Sequence, residues 1–76
     1  MKRIYILTTC IGSIQDIFVG VFDDAEKLKT EMHGYDSNEI LVRVYDITEK
    51  GIMIERGTAH CADALILDDT VIFELY

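Results

Sequence analysis

Residues 15–34 read QDIFVGVFDDAEKLKTEMHG, and this stretch decides the fold. Its first eight residues alternate as a strand does, with Ile17, Val19 and Val21 on one face and Phe18, Gly20 and Phe22 on the other. Apolar residues on both faces predict a central strand, or a face awaiting cover. The pattern then changes period. Ala25, Leu28 and Met32 recur at spacings of three and four, one apolar stripe of a helix over residues 24–33. Asp23 is placed to cap its free N–H groups, with Glu26 three residues on as in a capping box. Asp23/Lys27 and Lys27/Glu31 are spaced for ion pairs on its wet side. Gly34 is placed to end it in a left-handed cap, after His33 in the last turn.

The remaining chain reads mostly as strands. Lys2 to Cys10 alternates, with Ile4, Ile6 and Thr8 against Tyr5, Leu7 and Thr9, and Gly12-Ser13 joins it to the next strand as an antiparallel hairpin. After a polar loop over Tyr35 to Asn38, Glu39 to Thr48 is a third strand. Glu49-Lys50-Gly51 is a turn in which Gly51 takes positive φ, and Ile52 to Arg56 is a fourth strand. Residues 57–63 read as irregular, and Ala64–Leu67 and Val71–Leu75 as a last hairpin around Asp68-Asp69-Thr70. The order is β-β-α-β-β-β-β. One helix cannot cover both sides of such a sheet, so the expected fold is α+β: a mainly antiparallel sheet of four to six strands with the helix packed on one face. The opposite face is expected to be a binding surface, a dimer interface, or partly covered by the last hairpin. Seventy-six residues are read as a single acidic domain, 1–76, with a thin core. Half of the residues are hydrophobic, so some stay exposed unless a partner or a second copy covers them.

The net charge of −7 is unevenly placed. Residues 1–30 carry four bases and four acids, and residues 31–56 carry six acids and three bases. Residues 57–76 hold Asp63, Asp68, Asp69 and Glu74 with no Lys or Arg. This argues against direct binding of nucleic acid or of an anionic membrane, which both need clustered bases. It favours a partner with a basic surface, for which Asp63, Asp68, Asp69, Glu74 and the neighbouring Tyr76 are the candidate contact residues. The plainer reading of the acidity is solubility alone. Tyr35, Tyr45, Tyr76 and Phe73 are candidate interface aromatics, with ordinary cross-strand packing as the alternative for Tyr45 and Phe73.

Signals for chemistry are sparse. No phosphate-cradling glycine motif occurs, and Asp23-Asp24 and Asp68-Asp69 read as solvated acids of a cap and a turn. His60, Cys61 and Asp63 lie together, but zinc sites show paired ligands at short spacing and the other candidates, His33 and Cys10, stand alone. Cys10, at a strand end before Gly12-Ser13, lacks a base at any required spacing. No catalytic residue, metal or cofactor is therefore expected. The start Met1-Lys2-Arg3 precedes an apolar run too short for a signal core, and no stretch is long enough to span a bilayer. A cytoplasmic protein with reduced thiols is expected, with a Cys10–Cys61 disulfide as the alternative.

Ile4-Tyr5-Ile6-Leu7-Thr8, then Val19-Gly20-Val21-Phe22 before the helix start Ala25-Glu26-Lys27, then Val44-Tyr45-Asp46, resemble small proteins of phages, prophages and their bacterial hosts. The resemblance covers about residues 1–48; residues 49–76 look like an added acidic β segment. Proteins of this kind resemble inhibitors of host machinery, including anti-CRISPR and other anti-defence proteins, which block a basic nucleic-acid channel or seal a protein interface. The resemblance thus implies a non-enzymatic, phage-encoded inhibitor acting in the host cytoplasm on a host protein or nucleoprotein complex. Two other readings stand beside it: a homo-oligomeric assembly domain, and a small thiol-dependent enzyme or ligand binder using Cys10, Cys61 and the histidines.

Overall fold

A computed structural model describes residues 2–75. The elements are β1 (Lys2–Ile11), β2 (Ile14–Phe22), α1 (Ala25–Met32), a 3-10 turn (Ser37–Glu39), β3 (Ile40–Ile47), β4 (Met53–Cys61), β5 (Ala64–Leu67) and β6 (Thr70–Glu74). All pairings are antiparallel, and the strands lie in the order β2-β1-β3-β4-β5-β6. This is the α+β arrangement and the element order that the sequence implies. No helix among the described residues is long and apolar enough to cross a membrane.

The core lies on one side of the sheet. Tyr5 and Leu7 of β1 sit beside Val44 and Val42 of β3, and Val42 sits beside Ala59 of β4. Leu7, Val42 and Val44 have no exposed surface. Helix α1 lays Leu28 and Met32 on this layer, both buried. Complete burial of a leucine such as Leu28 contributes about 1.5–3 kcal/mol. The C-terminal hairpin joins the same cluster through Leu65, Leu67 and Leu75. It therefore shares the helix's side of the sheet and leaves the other side uncovered.

Local details depart from the sequence reading at several points. The helix is capped by Asp24, whose side chain accepts from the Glu26 N–H at 2.8 Å. Asp23, the cap expected from the sequence, instead turns its carboxylate to Lys2 of β1 at 3.3 Å, and that contact holds its pKa below the usual range. The expected Asp23/Lys27 and Lys27/Glu31 ion pairs are not among those formed by the described residues. Gly34 does not adopt positive φ. His33 remains right-handed and the helix ends through Gly34 N–H to Glu31 and Tyr35 N–H to Met32 carbonyls, so a left-handed cap is not required. Gly51 does take positive φ, at 83°.

The largest difference concerns β4, which runs on to Cys61 although residues 57–63 read as irregular in the sequence. Val44 pairs with Gly57 and Tyr45 with Glu55, so Arg56 is an extra residue, a β-bulge. Gly57 takes φ +124 there, a conformation other residues rarely adopt. By itself a glycine reads as a break in a strand; here the neighbouring strands carry the ladder through it. The bulge sets Arg56 against Asp46. The Asp46 carboxylate lies nearly buried on the core side and accepts from Arg3 Nε at 3.1 Å and from Arg56 Nε at 2.6 Å. One carboxylate thus ties β1, β3 and β4 together.

This corner can be tested by two substitutions. A Cβ at Gly57 meets only Leu67, at 3.7 Å, so the cost of Gly57→Ala comes from the backbone. The expected loss is about 1–3 kcal/mol by urea unfolding. The guanidinium groups of Arg3 and then Arg56 hold the Asp46 carboxyl below its usual pKa. Its contribution is complete above the unfolded-state value of about 3.9 and is lost as the pH falls through the lower folded-state value. Asp46→Asn should lower the urea midpoint at neutral pH, and the gap to the parent should narrow below about pH 4.

Candidate functional site

Two surfaces stand out, the acidic C-terminal hairpin and the uncovered sheet face. On the hairpin, Asp68 and Asp69 form the two-residue turn between β5 and β6, both at positive φ (49° and 63°). Aspartate tolerates this conformation better than most residues, and it suits the two-residue hairpin that closes on Leu67 and Thr70. Asp63 and Glu74 sit at the other end: Glu74 pairs with Ala64, and Leu75 N–H donates to the Asp63 carbonyl at 2.9 Å. The four acids therefore form two exposed pairs at opposite ends of a short hairpin, roughly 15 Å apart. None of them takes part in an ion pair among the described residues. Tyr76, the fifth expected contact residue, lies outside the described residues.

The bases behave differently. Lys2, Arg3, Arg43 and Arg56 are each held by an acid of the same chain. Four of the seven bases are thus neutralised within residues 1–56, whereas residues 57–76 carry four acids and no Lys or Arg.

The uncovered face is legible in the sequence only in part. On β2, a second bulge breaks the alternation: Leu7 pairs with Gly20 but Thr8 with Phe18, so Val19 is the extra residue. Phe18 and Phe22, which simple alternation puts on one face, are on opposite sides. Phe22 packs against the core, whereas Phe18 joins Val21 on the uncovered side and is 63% exposed. Across that side, Val21 neighbours Ile6 on β1, and Tyr45 and Ile47 of β3 neighbour Glu55 and Met53 of β4. The Arg43 guanidinium donates to Asp16 at 3.4 Å, joining β3 to β2 across the intervening β1. Among the candidate aromatics, Phe73 packs against the core, and Tyr45 on the uncovered face donates its hydroxyl to Glu55 at 3.5 Å.

The residues considered for chemistry do not converge. His60 and Cys61 are consecutive on β4, so their side chains leave opposite faces of the sheet. Cys61 packs against the core side; Cys10, two residues beyond Thr8 on β1, belongs by alternation to the other side. Both cysteines are free thiols. Each borders a different shallow cleft beside the start of β3: about 180 Å³ at Cys10, and about 330 Å³ at His60 and Cys61. His33 lies at the end of α1. No group of three or more His, Cys, Asp or Glu among the described residues is arranged to hold a metal ion.

No protein-family model, curated protein or solved structure matches the chain in comparison with known proteins.

Burial pushes the Cys61 thiol pKa up to about 11. In a Cys10→Ser background, Cys61 should react with iodoacetamide at pH 8 about a hundredfold more slowly than an unperturbed thiol, because so little thiolate is present. The rate should climb as the pH approaches about 11, read by intact mass.

Proposed function

We propose that this protein acts by binding another protein, without catalysis of its own, and that the partner presents a basic surface to the C-terminal hairpin. One observation carries this reading: Asp63, Asp68, Asp69 and Glu74 have no ion-pair partner among the described residues, while four bases elsewhere are already paired within the chain. Unpaired exposed acids attract and orient a cationic surface over several ångströms and add little to the stability of their own fold. The positive-φ turn presents Asp68 and Asp69 at the hairpin tip. In its narrower form, the proposal is an inhibitor of a host nuclease or defence complex, of the anti-CRISPR kind, that covers a basic nucleic-acid-binding channel. The charge placement and the resemblance of residues 1–48 to phage-type proteins support that form.

The test uses neutralising substitutions that keep the turn. Asparagine accepts positive φ about as readily as aspartate, so the triple variant Asp63→Asn, Asp68→Asn, Asp69→Asn removes three charges without straining the backbone. Parent and variant are used as baits in host lysate at low and at high salt. The expected partner is retained by the parent and weakened roughly tenfold or more by the substitutions, with a shallower salt dependence left behind. Identical retention and identical salt dependence would sink the hairpin as the contact surface. For the narrower form, expression of the chain in a host with an active defence nuclease should raise phage plating, and the triple variant should not.

A further inference from the structure

We propose that the uncovered face of the sheet is the interface of a homodimer, packed face to face against a second copy of the chain across the β2-β1-β3 region. Exposure marks the face. Phe18 is 63%, Val21 54% and Met53 49% exposed, and all three lie on the side opposite the helix together with Ile6 and Tyr45. Large apolar side chains exposed together on one face of a small chain mark a contact surface.

Charge selects the occupant. The chain carries a net charge of −7, yet the charges of this face are mostly neutralised in place. Arg43 is paired with Asp16, and at one corner Lys2 is paired with Asp23. Glu55, among the described residues the one acid of this face outside an ion pair, accepts from the Tyr45 hydroxyl. Such a face offers nothing to a basic partner and is complementary to a copy of itself, as a two-fold interface requires. The acids that would repel a second copy lie on β5 and β6, across β4 and away from β2. In a dimer centred on β2-β1-β3 they stay on the outer flanks, in water.

Strand geometry sets the mode of contact. Edge-to-edge pairing through β2 is spoiled by two register shifts and by Asp16 at φ 58°, devices that protect an edge strand. Association through this half of the molecule is therefore face to face, with sheets about 10 Å apart. The uncovered side of β2, β1, β3 and β4, four strands about 4.8 Å apart and about nine residues long, measures roughly 30 by 19 Å. That is on the order of 600 Å² in projection and more as accessible surface, against roughly 800 Å² per partner in a stable complex.

This interface is independent of the hairpin contact, and sedimentation separates the two. Sedimentation equilibrium of the full chain at micromolar concentrations should give about 17 kDa, twice the 8.7 kDa chain. Raising salt from about 50 to about 500 mM should tighten the dimer, because it screens the repulsion between two acidic chains; hairpin binding to a basic partner should weaken. Phe18→Lys with Val21→Lys should raise the dimer dissociation constant by about a hundredfold or more while the circular dichroism spectrum stays native. Met53→Lys, on another strand, is read the same way should the double variant fail to fold. Asp63→Asn, Asp68→Asn, Asp69→Asn should leave the dimer intact. A parent that sediments at 8.7 kDa throughout overturns the proposal. So does a dimer that both the β2 and the Met53 substitutions leave unchanged.

Discussion

A layer of three side chains, Leu7, Val42 and Val44, is wholly removed from water, and the rest of the structure is arranged around the need to cover it. An eight-residue helix is too short to do so alone. It contributes Leu28 and Met32, and the C-terminal hairpin supplies Leu65, Leu67 and Leu75 to the same side. Among the described residues, helix and hairpin thereby cover the same face. Apolar residues of the other face, Phe18 and Val21 among them, are left in the open. Exposure of Phe18 and Val21 is the remainder of a small core, and a second copy of the chain is the economical way to complete it.

Bulges decide which side chains fall on which side. Val19 is an extra residue in β2, Arg56 in β4 and Ile72 in β6. Each shifts the alternation by one and sends the residues beyond it to the other face. The bulge at Val19 separates Phe18 from Phe22. The bulge at Arg56 completes a carboxylate held by two arginines, and it needs the positive φ of Gly57. The bulge at Ile72 lies in the hairpin that closes the core. Structure at these points is set by pairing with neighbours rather than by local preference.

Charge is segregated along the sheet as well as along the chain. The strands from β2 to β4 neutralise most of their bases internally, with Asp23, Asp46 and Asp16 each taking a base from another element. Among the described residues, the β5–β6 hairpin keeps its acids unpaired. The two proposed contacts are therefore chemically distinct. One is apolar and nearly neutral, suited to a copy of itself; the other is anionic, suited to a cationic surface. Their opposite responses to salt are the physical mark of that difference.

Much is legible in the residues themselves. The change of period from two to about 3.6 at Phe22–Ala25 determined where strand gives way to helix, since those periods are properties of the local backbone. The turns at Gly12-Ser13 and Gly51, the order of elements, the one-sided core and the concentration of acid beyond Gly57 also came from local composition. The tertiary structure alone decided that β4 runs through Gly57, that Asp24 rather than Asp23 caps the helix, and that Phe18 faces water. It also placed the four described acids as two pairs and sent His60 and Cys61 to opposite faces. These outcomes depend on the register of strands distant in sequence: a bulge costs little locally and is selected by whether the neighbouring strand can keep both its hydrogen bonds and its buried face.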